Sequence, residues 1–374
     1  MLPGRRRGNV LTADGSAEGA RVTKRPTIAD IAQRAGLSKG AVSYALNGQP
    51  GVSESTRRRV LELATEMGWR PNSAARALSG ARTGTLGLVL PRPATLLGVE
   101  PFFMKLIAGI ENALAARSTA LLLQVAPDHD AEAAAYRRWW AERRVDGIFL
   151  VDLRVEDGRI RVVEELGLPA VVIGGPGHHG RLPSVWTDDA AAMVMVVEYL
   201  AALGHRHIAR VAGLPGLLHT ELRGRAFGDV AATLGLEWSG TVTTDYSADQ
   251  GAQATRRLLS ASPAPQSSGP TPRAATRPTA ILYDNDVMAV AGTSVAHEMG
   301  VDVPGDLSIM AWDDSVLCEI IHPPLTALSR DIMAYGAHAA ERLLELLDGN
   351  AVTDFQDDMP RLVIRGSTAR PRSP

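Results

Sequence analysis

Cysteine, net charge, long apolar runs and catalytic signatures are scarce or missing here, and each absence closes off a class of protein. Cys318 stands alone, so no intramolecular disulfide framework exists. Its two readings are a reactive thiol and a small buried hydrophobe, and the second is the expectation. The opening MLPGRRRGNVLTADGSAEGA has no apolar core of signal-peptide length, and no run is long enough to span a bilayer. The expectation is a cytoplasmic protein without a membrane partner, whose residues 1–25 form a disordered basic arm; a phosphate-contacting role for Arg5, Arg6 and Arg7 stays open. Lys and Arg number 39 against 41 Asp and Glu, a net charge of −2 that excludes a general polyanion binder. There is no GxSxG elbow, P-loop, HExxH or cluster of Cys and His. No catalytic residue, metal ligand or cofactor is assigned, and the chain is not read as an enzyme.

What is present starts at TIADIAQRAGLSKGAVSYALN, residues 27–47. Thr27 and Asp30 have the spacing of a capping box, and Ile28, Ile31, Ala32 and Ala35 recur on one helical face until Gly36 stops the helix. Ser38 caps a second short helix whose Ala41, Val42, Ala45 and Leu46 turn inward. Lys39, Ser43, Tyr44 and Asn47 are left facing out. Two short helices around a tight glycine turn describe a helix-turn-helix, with an unrelated helical hairpin as the bland alternative. Ser53 then caps a third helix carrying Val60, Leu61, Ala64 and Met67 at helical spacing. Basic residues crowd this region: Arg21, Lys24, Arg25, Arg34, Lys39, Arg57, Arg58, Arg59, Arg70, Arg76 and Arg82 stand against Asp30, Glu54, Glu62 and Glu66. A basic head on a near-neutral body suits phosphate contact at one end.

At 374 residues, 45% of them hydrophobic, the chain has room for more than one domain and a sizeable core. From Thr85 onward, short apolar runs such as TLGLVLP, ALLLQV, GIFLVD, PAVVIGG, HIARVAG, AILYD and LSIMAWDD alternate with helical patterns such as Phe102–Arg117, Ala190–Leu203 and Asp286–Met299. Repeated βα units imply parallel sheets with helices on both faces, and the length implies two similar subdomains. A ligand belongs at the carboxyl ends of the strands, in the cleft between the halves. Residues 260–278, SASPAPQSSGPTPRAATRP, break the pattern and read as a flexible inserted loop.

The pieces TIADIAQRAGLSKGAVSYALN, VSESTRRRV and RPNSAARAL, in that order, resemble the lactose-repressor (LacI/GalR) family of bacterial transcription regulators. The likeness continues through FFMKLIAGIE, LGHRHIARVAG, YDNDVMAVAG, LSIMAWDDS and PPLTALSRD, so it spans about Thr27 to Ser367. It implies an α/β protein: an all-α helix-turn-helix head at 26–70, a hinge helix at 71–83, and a periplasmic-binding-protein-like effector and dimerisation body at 84–367. The body would hold two doubly wound parallel-sheet subdomains, roughly 84–189 with 330–350 and 190–329 with 351–367, joined by three crossings. Ser73 to Leu78 is too short to be helical alone in water and needs an outside support. The resemblance supplies one, pairing of two hinges in the minor groove with Leu78 wedged between base pairs. Packing of Leu78 under the body is the alternative.

The DNA-reading residues so assigned are Thr27, Ser38, Lys39, Ser43, Tyr44, Asn47, Ser53, Thr56, Asn72, Ala75 and Leu78. Polyhydroxylated ligands suit planar Asn, Asp and Arg groups beside an aromatic face. The resemblance places Arg223, Asn285, Asp313, Tyr246 and Phe103 in a ligand pocket, with Arg92 and Trp312 as further candidates. Arg225 replaces Arg223 if the register slips, and Asn285 has a second reading as a helix cap. Asp284, Asp286, Asp313 and Asp314 at strand ends lack the base, nucleophile or ligand set that catalysis requires. His178 with His179 and His205 with His207 read as structural pairs.

There are departures from the family pattern. Tyr44 stands where the lactose repressor has an arginine, which removes a bidentate guanine contact, and Gly40 offers the groove no side chain. Gly174 stands where some sugar-binding members have a carboxylate. The expected function is sequence-specific, palindromic operator binding by a homodimeric repressor, controlled allosterically by a small ligand, a sugar inducer. The alternatives are a regulator using a purine-like corepressor, and a sugar-binding enzyme or solute-binding protein.

Overall fold

A computed structural model describes residues 26–69, 82–92, 98, 100–260 and 277–372. The arm at 1–25, the hinge residues Asn72, Ala75 and Leu78, and most of the 260–278 loop lie outside the described residues. The chain divides into two compact units, 1–76 and 77–374.

The first unit holds three helices, α1 (Ile28–Ala35), α2 (Lys39–Leu46) and α3 (Glu54–Glu66). Each begins at a local hydrogen bond. Asp30 N–H donates to Thr27 Oγ1 while Thr27 N–H donates to the Asp30 carboxylate, a complete capping box. Ser38 Oγ accepts from Ala41 N–H at 3.1 Å and Ser53 Oγ from Thr56 N–H at 3.3 Å. Gly36 ends α1 at φ 68°, a left-handed turn that a side chain would strain. The core is small: Ile31, Ala32, Val42, Ala45, Val60 and Ala64, with Leu37, Leu46 and Trp69 packed at its margin. Leu61 does not join it. One helical step of about 100° beyond Val60 turns Leu61 outward, where it is 45% exposed.

The second unit contains two six-stranded sheets. The first half runs β1 (Thr85–Leu90), α4 (Pro101–Ala115), β2 (Ala120–Val125), α5 (His129–Ala141), β3 (Gly147–Leu150), α6 (Gly158–Leu166), β4 (Ala170–Ile173) and β5 (Ser184–Trp186). The second half runs α7 (Asp189–Leu203), β6 (His207–Ala212), α8 (Leu218–Thr233), β7 (Trp238–Thr243), α9 (Ala248–Ser260), β8 (Ala280–Tyr283), α10 (Asp286–Glu298), β9 (Ser308–Ala311), α11 (Val316–Ile320) and β10 (Thr326–Ser329). Then α12 (Ile332–Leu347) and β11 (Phe355–Gln356) return to the first sheet, and β12 (Arg361–Val363) closes the second.

Strand order is β11–β5–β4–β3–β1–β2 in one sheet and β12–β10–β9–β8–β6–β7 in the other, parallel throughout except for β12 against β10. The apolar runs are buried on both faces, as parallel strands covered by helices require. In β1, Leu86, Leu88 and Leu90 meet α4 and α12, while Val89 meets the opposite helices. Gly87 leaves room for Trp139, since a Cβ there would lie 2.5 Å from its ring. Helices α4 and α12 touch backbone to backbone: a Cβ on Gly109 would lie 2.0 Å from the Met333 carbonyl oxygen, and one on Gly336 2.3 Å from that of Leu106. At the far end of α12, Asp348 accepts from Arg82 Nη1 at 2.9 Å and Arg117 Nη1 at 3.0 Å.

The chain passes between sheets after β5, after β10 and after β11. The last crossing falls later than the 351 boundary expected from the sequence. Phe355 pairs with Val185 and packs on the first core, so residues 355–356 belong to the first half. Among the described residues no helix is long and apolar enough to cross a membrane.

Candidate functional site

In the first unit, α2 carries the polar face. Lys39 and Asn47 are exposed, Tyr44 is 53% exposed, and Ser43 is half-buried with its Oγ accepting from Asn47 Nδ2 at 3.3 Å. No acidic residue occupies its first turn, so the positive end of the helix dipole is left for an anion. Thr27, Ser38 and Ser53 spend their side chains as caps, and Thr56 bonds Ser53 Oγ at 2.8 Å.

In the second unit a cavity of about 150 Å³ opens between the sheets, at the carboxyl ends of their strands. Three arginines surround it, each paired with a carboxylate and laid on an aromatic face. Arg92, just past β1, donates from Nε to Asp152 Oδ2 at 2.8 Å, and its guanidinium lies 5.5 Å from the Phe103 ring centre and 4.9 Å from that of Tyr246. Arg223, one turn into α8, bonds Asp189 at 3.3 Å over the Trp312 ring at 4.1 Å. Arg330, just past β10, bonds Asp313 at 3.4 Å over Phe102 at 5.1 Å. Cation–π contact and charge pairing together hold these side chains in place. Each keeps an N–H with no partner among the described residues: Arg92 Nη1, Arg223 Nε and Arg330 Nε.

Tyr246 reaches the cavity through a left-handed backbone, φ 71°, a strained state for a non-glycine residue. Its ring needs Gly213, where a Cβ would sit 1.8 Å from the ring carbon bearing the hydroxyl. The hydroxyl meets His219 Nε2 at 2.8 Å. Burial, with Arg223 nearby, pushes the His219 imidazolium down to about 4. Burial also raises the Glu100 carboxyl to about 7, against the pull of Arg92, and raises Asp313 despite Arg330. Burial works against the Asp152 carboxylate as well, but Arg92 outweighs it and holds the group below its ordinary range.

Of the ligand residues expected from the sequence, Arg92, Phe103, Arg223, Tyr246 and Asp313 line this cavity together. Asn285 does not. Its Oδ1 accepts from Met288 N–H at 2.9 Å and its Nδ2 donates to the Tyr246 carbonyl at 3.1 Å, so the cap reading applies. Trp312 lies beneath Arg223, outside the lining. Arg225 is exposed, so the register stays on Arg223. Sequence reasoning missed Glu100, Asp152, Asp189, His219 and Arg330, which line the same cavity. The signal that finds Asp152 and Arg330 is their place two residues and one residue beyond the ends of β3 and β10.

Three of the paired histidines are held by neighbours, His205 by Thr279 and Ser308, His207 by Glu237 and His179 by Asp354, while His178 is exposed. Cys318 is buried in the core of the second half, which drives its thiol up to about 12. Among the described residues no group of His, Cys, Asp and Glu is arranged to hold a metal ion.

Residues 27–72 match the bacterial regulatory proteins of the lacI family, and residues 197–368 match the periplasmic binding protein-like domain. A transcriptional regulator of Streptomyces limosus is 33% identical over 354 residues, covering 92% of this chain and 95% of that protein. The solved complex of the transcriptional regulator CelR with cellobiose is 26% identical with a TM-score of 0.67, covering 92% of this chain and all of that one. The Lac repressor dimer bound to operator and the anti-inducer ONPF is 25% identical with a TM-score of 0.76 over the same shares. Head, strand order and overall likeness agree: the chain belongs to the lacI family of bacterial transcriptional regulators.

Proposed function

We propose that this regulator is a homodimeric repressor that binds a palindromic operator and is released by a neutral sugar held in the cavity of its body. The observation that carries the sugar is the triad of arginines. Each is anchored by a carboxylate and an aromatic ring, and each keeps an N–H to offer a hydroxyl. The ring faces of Phe103, Tyr246 and Trp312 already carry guanidinium groups, which favours hydroxyl recognition over the stacking of a flat purine-like ring. The CelR structure holds cellobiose and the Lac repressor structure holds operator DNA.

In this reading Lys39, Ser43, Tyr44 and Asn47 face the major groove, the helix starts at Thr27, Ser38 and Ser53 with Thr56 face phosphates, and Asn72, Ala75 and Leu78 belong to the paired hinges. Sugar that binds one arrangement of the two halves better than the other shifts the DNA-competent population. A coupling of roughly 1–3 kcal/mol gives about 5–150-fold regulation. The reading gives the chain no catalytic role.

Fluorescence anisotropy on a palindrome selected from random DNA tests it, with and without sugars and purines. Release by a sugar supports the repressor; tighter binding with a purine replaces the sugar by a corepressor; no selected site at low salt removes the DNA-binding reading. Leu78→Ala weakens operator binding and spares sugar affinity, and equal operator affinity would sink the wedge.

A further inference from the structure

Glu100 holds the N-cap position of α4, yet its side chain makes no capping bond. Glutamate, unlike the shorter aspartate, is not a usual capping residue, and its carboxylate is left for other partners. Glu100 lines the cavity at 8% exposure, and its Oε2 is buried with no hydrogen-bonding partner among the described residues. Arg92 lines the same cavity at 4% exposure and keeps Nη1 unpaired. A buried acceptor and a buried donor, each left open, are costly in a folded protein and mark a place where a ligand supplies the missing partner.

We propose that Glu100 and Arg92 form the subsite that reads a pair of adjacent hydroxyls on the effector, with the Glu100 carboxylate accepting from both and Arg92 Nη1 donating to one of them. The inference rests on the sugar reading above and makes it specific: the ligand is a vicinal diol, recognised by a charged acceptor. A hydroxyl both donates and accepts, so one diol satisfies both residues at once. Hypoxanthine has no matching pair of adjacent donors for the carboxylate; guanine does, through N1–H and its 2-amino group, which makes it the sharper contrast.

The charged groups around Glu100 come from every side of the cleft: Arg92 after β1, Asp152 after β3, Asp313 after β9 and Asp286 at the start of α10. Arg92 favours the carboxylate, the three aspartates oppose it, and burial opposes it most, which leaves the group near 7. A diol that donates to the ionised form therefore expels a proton on binding, and affinity rises with pH. With only the ionised form competent, a pKa near 7 makes affinity rise about tenfold from about pH 6 to about pH 8.

The test is calorimetry on the full-length protein and on Glu100→Gln, with Glu100→Asp as the second variant. The probes are glucose, galactose, maltose and cellobiose, with guanine and hypoxanthine as contrasts, each in two buffers of different ionisation enthalpy. The expected result is sugar binding that strengthens about tenfold over that pH span, releases up to one proton near neutral pH, and loses both properties in Glu100→Gln with at least tenfold weaker binding at the upper pH. Glu100→Asp, which keeps the charge and withdraws it, retains the pH slope at lower affinity. Sugar binding with the same slope and affinity in Glu100→Gln overturns the subsite and leaves the sugar reading standing. Binding of a purine alone, or of no probe, overturns both.

Discussion

The head and the body solve different problems with buried charge. Among its described residues the head has no charged residue in its buried core, which is Ile31, Val42, Val60 and small alanines; its ionic residues are exposed or, like Asp30 and Arg57, half-buried. The body buries Arg92, Glu100, Glu132, Arg159, Arg210, Arg223, Asp284 and Asp286, with Arg92, Asp284 and Asp286 just beyond strand ends. Burying a charge costs several kcal/mol unless pairing offsets it. The head stays inexpensive and keeps its polar groups for a polyanion outside. The body places its polar groups inside, held by partners, for a small ligand that comes to it.

Breaking the body's pairing is the most damaging change. Arg210 and Asp284 are both about 1% exposed and joined through two hydrogen bonds. Asp284→Ala strands the guanidinium and costs roughly 3–5 kcal/mol in denaturant unfolding; a loss under about 1 kcal/mol would refute the view that pairing sustains these charges. Ile31→Ala is the counterpart in the head, costing about 3 kcal/mol. Hydrogen exchange should then quicken in α1–α3 and stay unchanged in the sheets.

Next comes acidity. The His219 imidazolium lies near 4 in the folded state, below the ordinary 6.5, so the fold favours the neutral ring. That contribution is complete above about pH 6.5 and disappears as pH falls towards 4, roughly 3 kcal/mol in all. His219→Gln should flatten this part of the stability–pH curve, and an unchanged curve would place its origin elsewhere. The smallest effect is Thr27→Ala, which removes the capping box and costs about 1 kcal/mol of head stability, visible as a lower melting temperature.

The head was legible because its signals are local. Thr27 with Asp30, Ser38, Gly36 and Ser53 each act within four residues, and only the outward turn of Leu61 escaped. The βα order of the body was legible for the same reason. Strand β11 was not, because Phe355 and Gln356 become a strand only by pairing with β5. The cavity was half legible. Arg92, Arg223 and Tyr246 followed from resemblance, while Glu100, Asp152, Asp189 and Arg330 are ordinary charged residues until the fold closes over them. Asn285 caps α10 and bonds the Tyr246 carbonyl, and it lies outside the cavity lining.

Helix α12 has the makings of a shaft. Its first turns present Tyr335 to the cavity, and Asp348, just beyond its last turn, clasps Arg82, near where the described body begins. The glycines at Gly109 and Gly336 key it to α4 with no slack for sliding. A keyed shaft can only tilt together with its seat. Over its 16 residues, about 24 Å at 1.5 Å each, a tilt of about 5° swings the far end by about 2 Å. A small tilt at the cavity would thus be felt at Asp348 and its partner Arg82, where the described body begins.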